Sequence, residues 1–199
     1  MGRNSISDVR KPEILKTFIK VINEEGLAKA SIAKVAKRME SFPSLIQHYF
    51  GSRENLVLEL IDFLLEDYAQ FYHSRIDAYQ DPQEKDQAIL DLIFSLEWGG
   101  LDGQLVYLDL FTMGLRDEKI RVGVLRMNDM LRNFLREDLS MFKQGKIQNE
   151  EPLLNHIVFL LEGFHMWGFN RSPKEHRAIA EQQQRLVLSL LEVEADKAS

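Results

Sequence analysis

The sequence predicts an all-helical protein of about nine helices, and three observations predict it. Apolar residues recur at spacings of three and four along almost the whole chain. Strand-like alternation is nowhere sustained. Pro, Gly, Ser and Asp stand where helices would begin and end. At 199 residues the chain can bury a sizeable core in one or two domains.

The first helix is expected from near Lys11, with Pro12 in its first turn and Ile14, Leu15, Phe18, Ile19 and Ile22 on its apolar face. Gly26 stands where a left-handed residue closes a helix. Ser31 is a good N-cap for a short second helix that buries Ile32, Val35, Ala36 and Met39. A break follows at Glu40-Ser41-Phe42. Pro43 then opens a third short helix to about Tyr49, because its fixed φ suits a first turn and no N–H is needed there. Ser52 caps a long fourth helix from Arg53 to about Tyr79. Asp81-Pro82-Gln83-Glu84 starts a fifth, which runs to about Trp98. The glycine-rich break 99–103 precedes a sixth helix from Gln104 to Leu115. Asp117 caps a seventh, extending towards Phe142. After a polar loop around Gly145, an eighth helix runs from Pro152 to Phe169. Ser172-Pro173 starts a ninth, ending near Val193 before a frayed tail, 194–199.

Net charge is −6, but it is unevenly divided. Residues 1–53 hold ten Lys/Arg against five Asp/Glu, a balance of +5. The remainder holds 15 basic and 26 acidic residues, a balance of −11. A basic head on an acidic body is the asymmetry expected when only the head meets phosphates; clustering on solvated faces is the alternative. There is no cysteine, which excludes disulfides, cysteine-based zinc sites and thiol nucleophiles and fits a reducing cytoplasm. Met1 to Lys11 is polar and basic rather than signal-like, and no run of 18 apolar residues exists. The expectation is a cytoplasmic protein without a membrane segment.

Residues 31–50 have the proportions of a helix-turn-helix: two short helices joined by a turn of three or four residues. Ile46 and Phe50, four apart, can face inward. Ser44, Gln47 and His48 then fall on other faces, where their side chains can hydrogen-bond to base edges in a major groove. Tyr49 can reach a phosphate through its hydroxyl, and Lys37, Arg38 and Arg53 flank the unit as phosphate partners. Ser31, at a helix N-terminus, can present its hydroxyl and nearby N–H groups to a phosphate. Three packed helices with polar surfaces would read the same way.

The stretch from Ile14 to Leu56 resembles the DNA-binding domain of TetR-family regulators. The resemblance is carried by Gly26-Leu27, Ala30-Ser31-Ile32, Ala33-Lys34-Val35-Ala36, Pro43-Ser44-Leu45-Ile46, His48-Tyr49-Phe50 and Arg53-Glu54-Asn55-Leu56. It covers roughly a quarter of the chain. It implies a helix-turn-helix domain, 1–53, and a helical ligand-binding and dimerisation domain, 54–199. It further implies a homodimer through the last two helices, a palindromic operator on double-stranded DNA and a small-molecule effector. Because the family more often represses than activates, a ligand-released repressor is expected. Its DNA-binding residues would be Ser31, Phe42, Pro43, Ser44, Gln47, His48, Tyr49 and Arg53. The turn departs from the family, which usually carries Gly, an aliphatic residue and then Ser or Thr where this chain has Glu40, Ser41 and Phe42. Gly is the cheapest residue for a left-handed turn and the hydroxyl the usual cap. Phe42 is expected to pack as a hydrophobic staple instead. The alternative is a helical dimeric interaction protein that has lost sequence-specific DNA binding.

The middle of the chain is rich in Phe94, Trp98, Tyr107, Phe111, Met113, Met127, Met130 and Phe134. Most are expected in the core. Phe94, Trp98, Tyr107, Phe111, Met127 and Phe134 are the candidates for lining an effector cavity, with Trp98 and Tyr107 offering polar handles. From Phe111-Thr112-Met113-Gly114 to Leu131 the chain resembles the choline-sensing repressors of betaine synthesis. Effector binding would move the fourth helix and with it the spacing of two recognition helices.

No phosphate-binding glycine loop, nucleophile elbow or zinc-protease motif is present, so an enzyme is not expected, nor any cofactor. Glu162 and His165 have the i, i+3 spacing of di-iron bundles, but no second Glu-x-x-His exists, and no metal is expected. His165 reads instead as a satisfied core or interfacial residue.

Overall fold

A computed structural model describes residues 6–98, 100–168 and 170–196. Gly99, the end of the eighth expected helix at Phe169 and the last three residues of the expected tail lie outside them. Among the described residues there are ten helices and no strand: α1 (Ile6–Glu25), α2 (Ile32–Arg38), α3 (Pro43–Phe50), α4 (Arg53–Ile76), α5 (Pro82–Ile93), α6 (Gly100–Gly114), α7 (Glu118–Asp138), α8 (Ser140–Lys143), α9 (Glu150–Gly168) and α10 (Pro173–Asp196). The all-helical expectation holds. Two compact units are formed, one of residues 1–68 and 101–126, the other of 69–100 and 127–199.

In the first unit α1, α2 and α3 pack on one another around Ile14, Leu15, Phe18, Ile22, Leu27, Val35, Ala36, Ile46 and Phe50, all buried. The helix α1 begins at Ile6, earlier than expected, and carries Pro12 inside it. Proline removes one N–H and crowds the carbonyl four residues upstream, yet the helix runs through it from Ile6. Gly26 closes α1 at φ +80° with its N–H donating to the Ile22 carbonyl, as its position required. The turn it opens is clamped from two sides. The Leu27 N–H donates to Asp109 of α6 at 2.6 Å. The Arg53 guanidinium of α4 donates to the carbonyls of Ala30 (2.7 Å) and Leu27 (2.5 Å).

The second unit is built on Tyr72, Ile89, Leu90, Ile93, Phe94, Phe134, Leu135, Leu154, Ile157, Val158, Leu161 and Val187. Tyr72 stacks on Phe134 at 4.2 Å and donates to Asp138, which also receives Lys85 at 2.5 Å. Burial first, then Asp138, holds the Tyr72 phenol protonated well above its usual range. His165 is buried, with Nε2 donating to the Ile93 carbonyl at 2.8 Å. Burial lowers its pKa to about 4, against that hydrogen bond, which pulls the other way. It is thus a satisfied core histidine, one of the two roles expected of it.

Three boundaries differ from expectation. The fifth helix stops at Ile93, not Trp98, because the Ser95 side chain bonds back to the Leu92 carbonyl and receives the N–H groups of Glu97 and Trp98. The sixth starts at Gly100 rather than Gln104. The seventh breaks at Leu139, which is fully buried in an extended conformation, and α8 restarts there. Asp86 of α5 caps that restart in trans, accepting the Ser140 N–H at 2.8 Å and its hydroxyl at 2.5 Å. This break makes the helices ten rather than nine.

Candidate nucleic-acid interface

The helix α3 has one buried and one exposed face. Ile46 and Phe50 are buried and Leu45 and Tyr49 half-buried, while Pro43, Ser44, Gln47 and His48 are exposed. At 100° per residue, Gln47, Ser44 and His48 share an arc of about 100° away from Ile46 and Phe50. Ser31 N-caps α2, its Oγ accepting the Lys34 N–H at 3.3 Å, so its hydroxyl already serves the fold.

The turn between α2 and α3 closes in a Schellman motif. The Ser41 N–H donates to the Ala36 carbonyl at 2.9 Å and the Glu40 N–H to that of Lys37 at 3.2 Å. The motif requires a left-handed residue, and Glu40 supplies it at φ +51°, the one non-glycine residue with positive φ among those described. For a residue with a Cβ that conformation costs about 1 kcal/mol. The Glu40 carboxylate is exposed beside α3. Phe42 is the N-cap of α3 and makes no side-chain capping bond. The residue is 79% exposed, so the expected hydrophobic staple does not form. The interior between α1, α2 and α3 is already filled by Phe18, Ile46 and Phe50.

The cations around the unit are not equivalent. Arg38 pairs with Glu24 and Lys34 with Glu25, while Lys37 stays exposed. Arg53 was expected to face phosphate; its guanidinium instead bridges the Leu27 and Ala30 carbonyls and ties α4 to the turn before α2. Sequence spacing could not reveal this, because the acceptors are backbone atoms 23 and 26 residues away.

Of the expected effector residues, Phe94, Met127 and Phe134 are buried and Trp98 half-buried in the second unit. Phe134 and Trp98 converge on Tyr72, at 4.2 and 6.3 Å, and Phe94 meets Phe164 edge-on at 5.4 Å. Tyr107 and Phe111 belong to the first unit, half-buried and 43% exposed respectively. None of the six lines the groove of about 280 Å³ along α9 and α10, which is walled by Phe159, Gly163, Phe164, Trp167, His176 and Ile179. Phe159 and Trp167 are 69% and 68% exposed there. Sequence reasoning passed over them. Their signal is that α9 is apolar on almost every face, more than one packing partner needs.

The family model described as the tetracyclin repressor-like, C-terminal domain matches residues 81–193, more than half of the chain. HTH-type transcriptional regulators BetI are similar over part of it. The one from Brucella anthropi is 27% identical over 95 residues, 48% of this chain and 49% of its own. That from Rhizobium meliloti is 23% identical over 121 residues, 61% of this chain and 60% of its own. The chain thus spans about half the length of the curated relatives it matches. Two solved structures share the fold. A putative transcriptional regulator from Pseudomonas aeruginosa PAO1 has a TM-score of 0.78 at 17% identity, covering 98% of this chain and 97% of its own. One from Saccharomonospora viridis, in complex with choline, has a TM-score of 0.73 at 15% identity, covering 92% and 96%. The helix-turn-helix of α2 and α3 and the matched C-terminal domain identify this chain as a member of the TetR family of transcriptional regulators, a family of DNA-binding proteins rather than enzymes.

Proposed function

We propose that the protein is a cytoplasmic repressor that binds a palindromic operator as a homodimer and leaves it when a small-molecule effector binds. Residues 1–53 meet DNA, and 54–199 bind the effector and the second copy. The observation that carries the reading is the exposed arc of α3: Ser44, Gln47 and His48 stand clear of the core with hydrogen-bonding side chains, on a helix short enough to lie in a major groove. Tyr49 and Lys37 supply phosphate contacts, and Ser31 and Arg53 hold the unit in shape. Phe42 and Pro43 lead the recognition helix. No helix among the described residues is long and apolar enough to cross a membrane.

The dimer forms through α9 and α10. Exposed Phe159, Met166, Trp167, Leu186 and Val193 support this face, as does Gly163, where an added Cβ would meet nothing within 4 Å. Of the expected effector residues, Phe94, Trp98, Met127 and Phe134 of the second unit are the ones taken to line the effector site. The effector acts through α4, one continuous helix from Arg53 to Ile76. A shift of a few ångströms at its head would misplace recognition helices that must span half-sites about 34 Å apart. Choline is the first effector to test, because the Saccharomonospora viridis structure holds it.

The test is fluorescence anisotropy against duplex DNA from upstream of its own gene, at two salt concentrations, with a random duplex as control. Sequence-preferring binding that weakens with salt supports the reading. A second reading, a helical dimeric interaction protein without sequence-specific DNA binding, is favoured by the Glu40 carboxylate beside α3 and by the pairing of Lys34 and Arg38 with acids. It predicts no preference over random DNA at either salt, including for sequences selected from a random pool.

A further inference from the structure

We propose that Phe42 reads the methyl group of a thymine at one position in each half of the operator. The inference rests on the DNA-binding reading above and names part of the sequence that reading leaves open. In a helix-turn-helix the residues at the start of the second helix are the ones that meet base edges. Phe42 is the N-cap of α3, in extended conformation (φ −98°, ψ 143°), and its carbonyl accepts the Leu45 N–H at 3.0 Å. Its backbone therefore starts the helix, while its side chain makes no capping bond and is 79% exposed.

A phenyl ring has no donor or acceptor to offer a base edge. The apolar group that a base pair presents in the major groove is the thymine C5-methyl, so an aromatic ring placed there favours thymine over the other three bases. The exposed Pro43 beside it extends the apolar surface, whereas Ser44, Gln47 and His48, further along α3, supply hydrogen bonds. The reading surface is thus divided into an apolar leading edge and a polar arc. A ring carries no charge, so Phe42 contributes sequence preference rather than general affinity.

The experiment uses the full chain. Selection from a random duplex pool gives its preferred operator. Each thymine, in both half-sites together, is then replaced by deoxyuridine, which lacks only the methyl. The expected result is one position per half-site where this weakens binding about fourfold per half-site, from ~0.8 kcal/mol per buried carbon and a factor of ten per ~1.4 kcal/mol. Phe42→Ser and Phe42→Ala should bind the thymine and uracil duplexes equally at that position. Both should keep the helicity of the unchanged chain and melt no lower than it does. Equal uracil losses in the unchanged chain and both variants would overturn the proposal. So would an operator at which no thymine methyl matters. If the unchanged chain enriches no sequence, the DNA-binding reading itself falls and this inference falls with it, an outcome distinct from enrichment without methyl dependence.

Discussion

The starts of α3 and α10 meet the same physical problem in opposite ways. A helix leaves its first N–H groups without intrahelical partners, and a side chain usually supplies one. At α10, Ser172 and Glu175 form a reciprocal capping box: the Ser172 N–H and hydroxyl both donate to the Glu175 carboxylate, at 3.0 and 2.7 Å, and the Glu175 N–H donates to Ser172 Oγ at 3.4 Å. Proline follows at both starts. At α3, however, the cap position is Phe42, whose ring faces solvent and which bonds to nothing through its side chain. The preceding left-handed position carries Glu40 rather than glycine. Both choices cost stability locally. One helix start is arranged for stability; the other tolerates instability at a surface that faces outward. Departures from the best local residue mark where function acts on a sequence.

The largest expected effect is a loss of stability at low pH. In the unit that holds α10, His165 has a folded pKa of about 4, below the usual 6.5. The unfolded chain therefore binds the proton more readily, so stability from this group is complete above pH 6.5 and falls as pH drops towards 4. The loss should reach about 3 kcal/mol by pH 4. Denaturant unfolding from pH 7 to pH 4 should show it, and His165→Leu should flatten the profile. Near the α3 unit, Arg53→Ala should cost about 2 kcal/mol of unfolding free energy through two lost charge-assisted hydrogen bonds. If Arg53 instead acts on phosphate, the variant will keep its stability and lose affinity for all sequences, with a shallower salt slope.

The two helix starts themselves come next. Ser172→Ala should destabilise by about 1 kcal/mol, and Phe42→Ser should stabilise by a similar amount by supplying the missing cap. Equal and opposite melting shifts would confirm that the α3 start is not tuned for stability. A melting point lowered by Phe42→Ser would mean that the ring contributes packing after all. The smallest effect is expected of Glu40→Gly. Relief of the left-handed strain is partly offset by the freedom of glycine in the unfolded chain, leaving a gain of about 0.5 kcal/mol in thermal unfolding.

Much of the architecture was legible because it is local. Gly26 closing α1, Ser31, Ser52, Asp81 and Asp117 capping their helices, and the inward positions of Ile46 and Phe50 all depend on neighbours within a few residues. The helix-turn-helix pattern follows from the same short-range rules. The misjudged features depend on partners far along the chain. Asp86 restarting a helix at Ser140 acts across 54 residues, and Arg53 is drawn to backbone carbonyls by a fold that spacing does not encode. Phe42 was expected to pack because an apolar residue before a helix often finds a partner, yet the space was already filled.

Periodicity and capping chemistry, which the chain carries in every window of about ten residues, were thus enough to determine the fold class, the helix-turn-helix and the exposed polar face of its second helix. Only the tertiary structure decided which cations are tied to acids or carbonyls, which aromatic rings are buried, and that Phe42 stands in solvent at the head of α3. Those outcomes depend on which distant groups reach a site first, and burial in a folded chain is a property of the whole packing rather than of any residue alone.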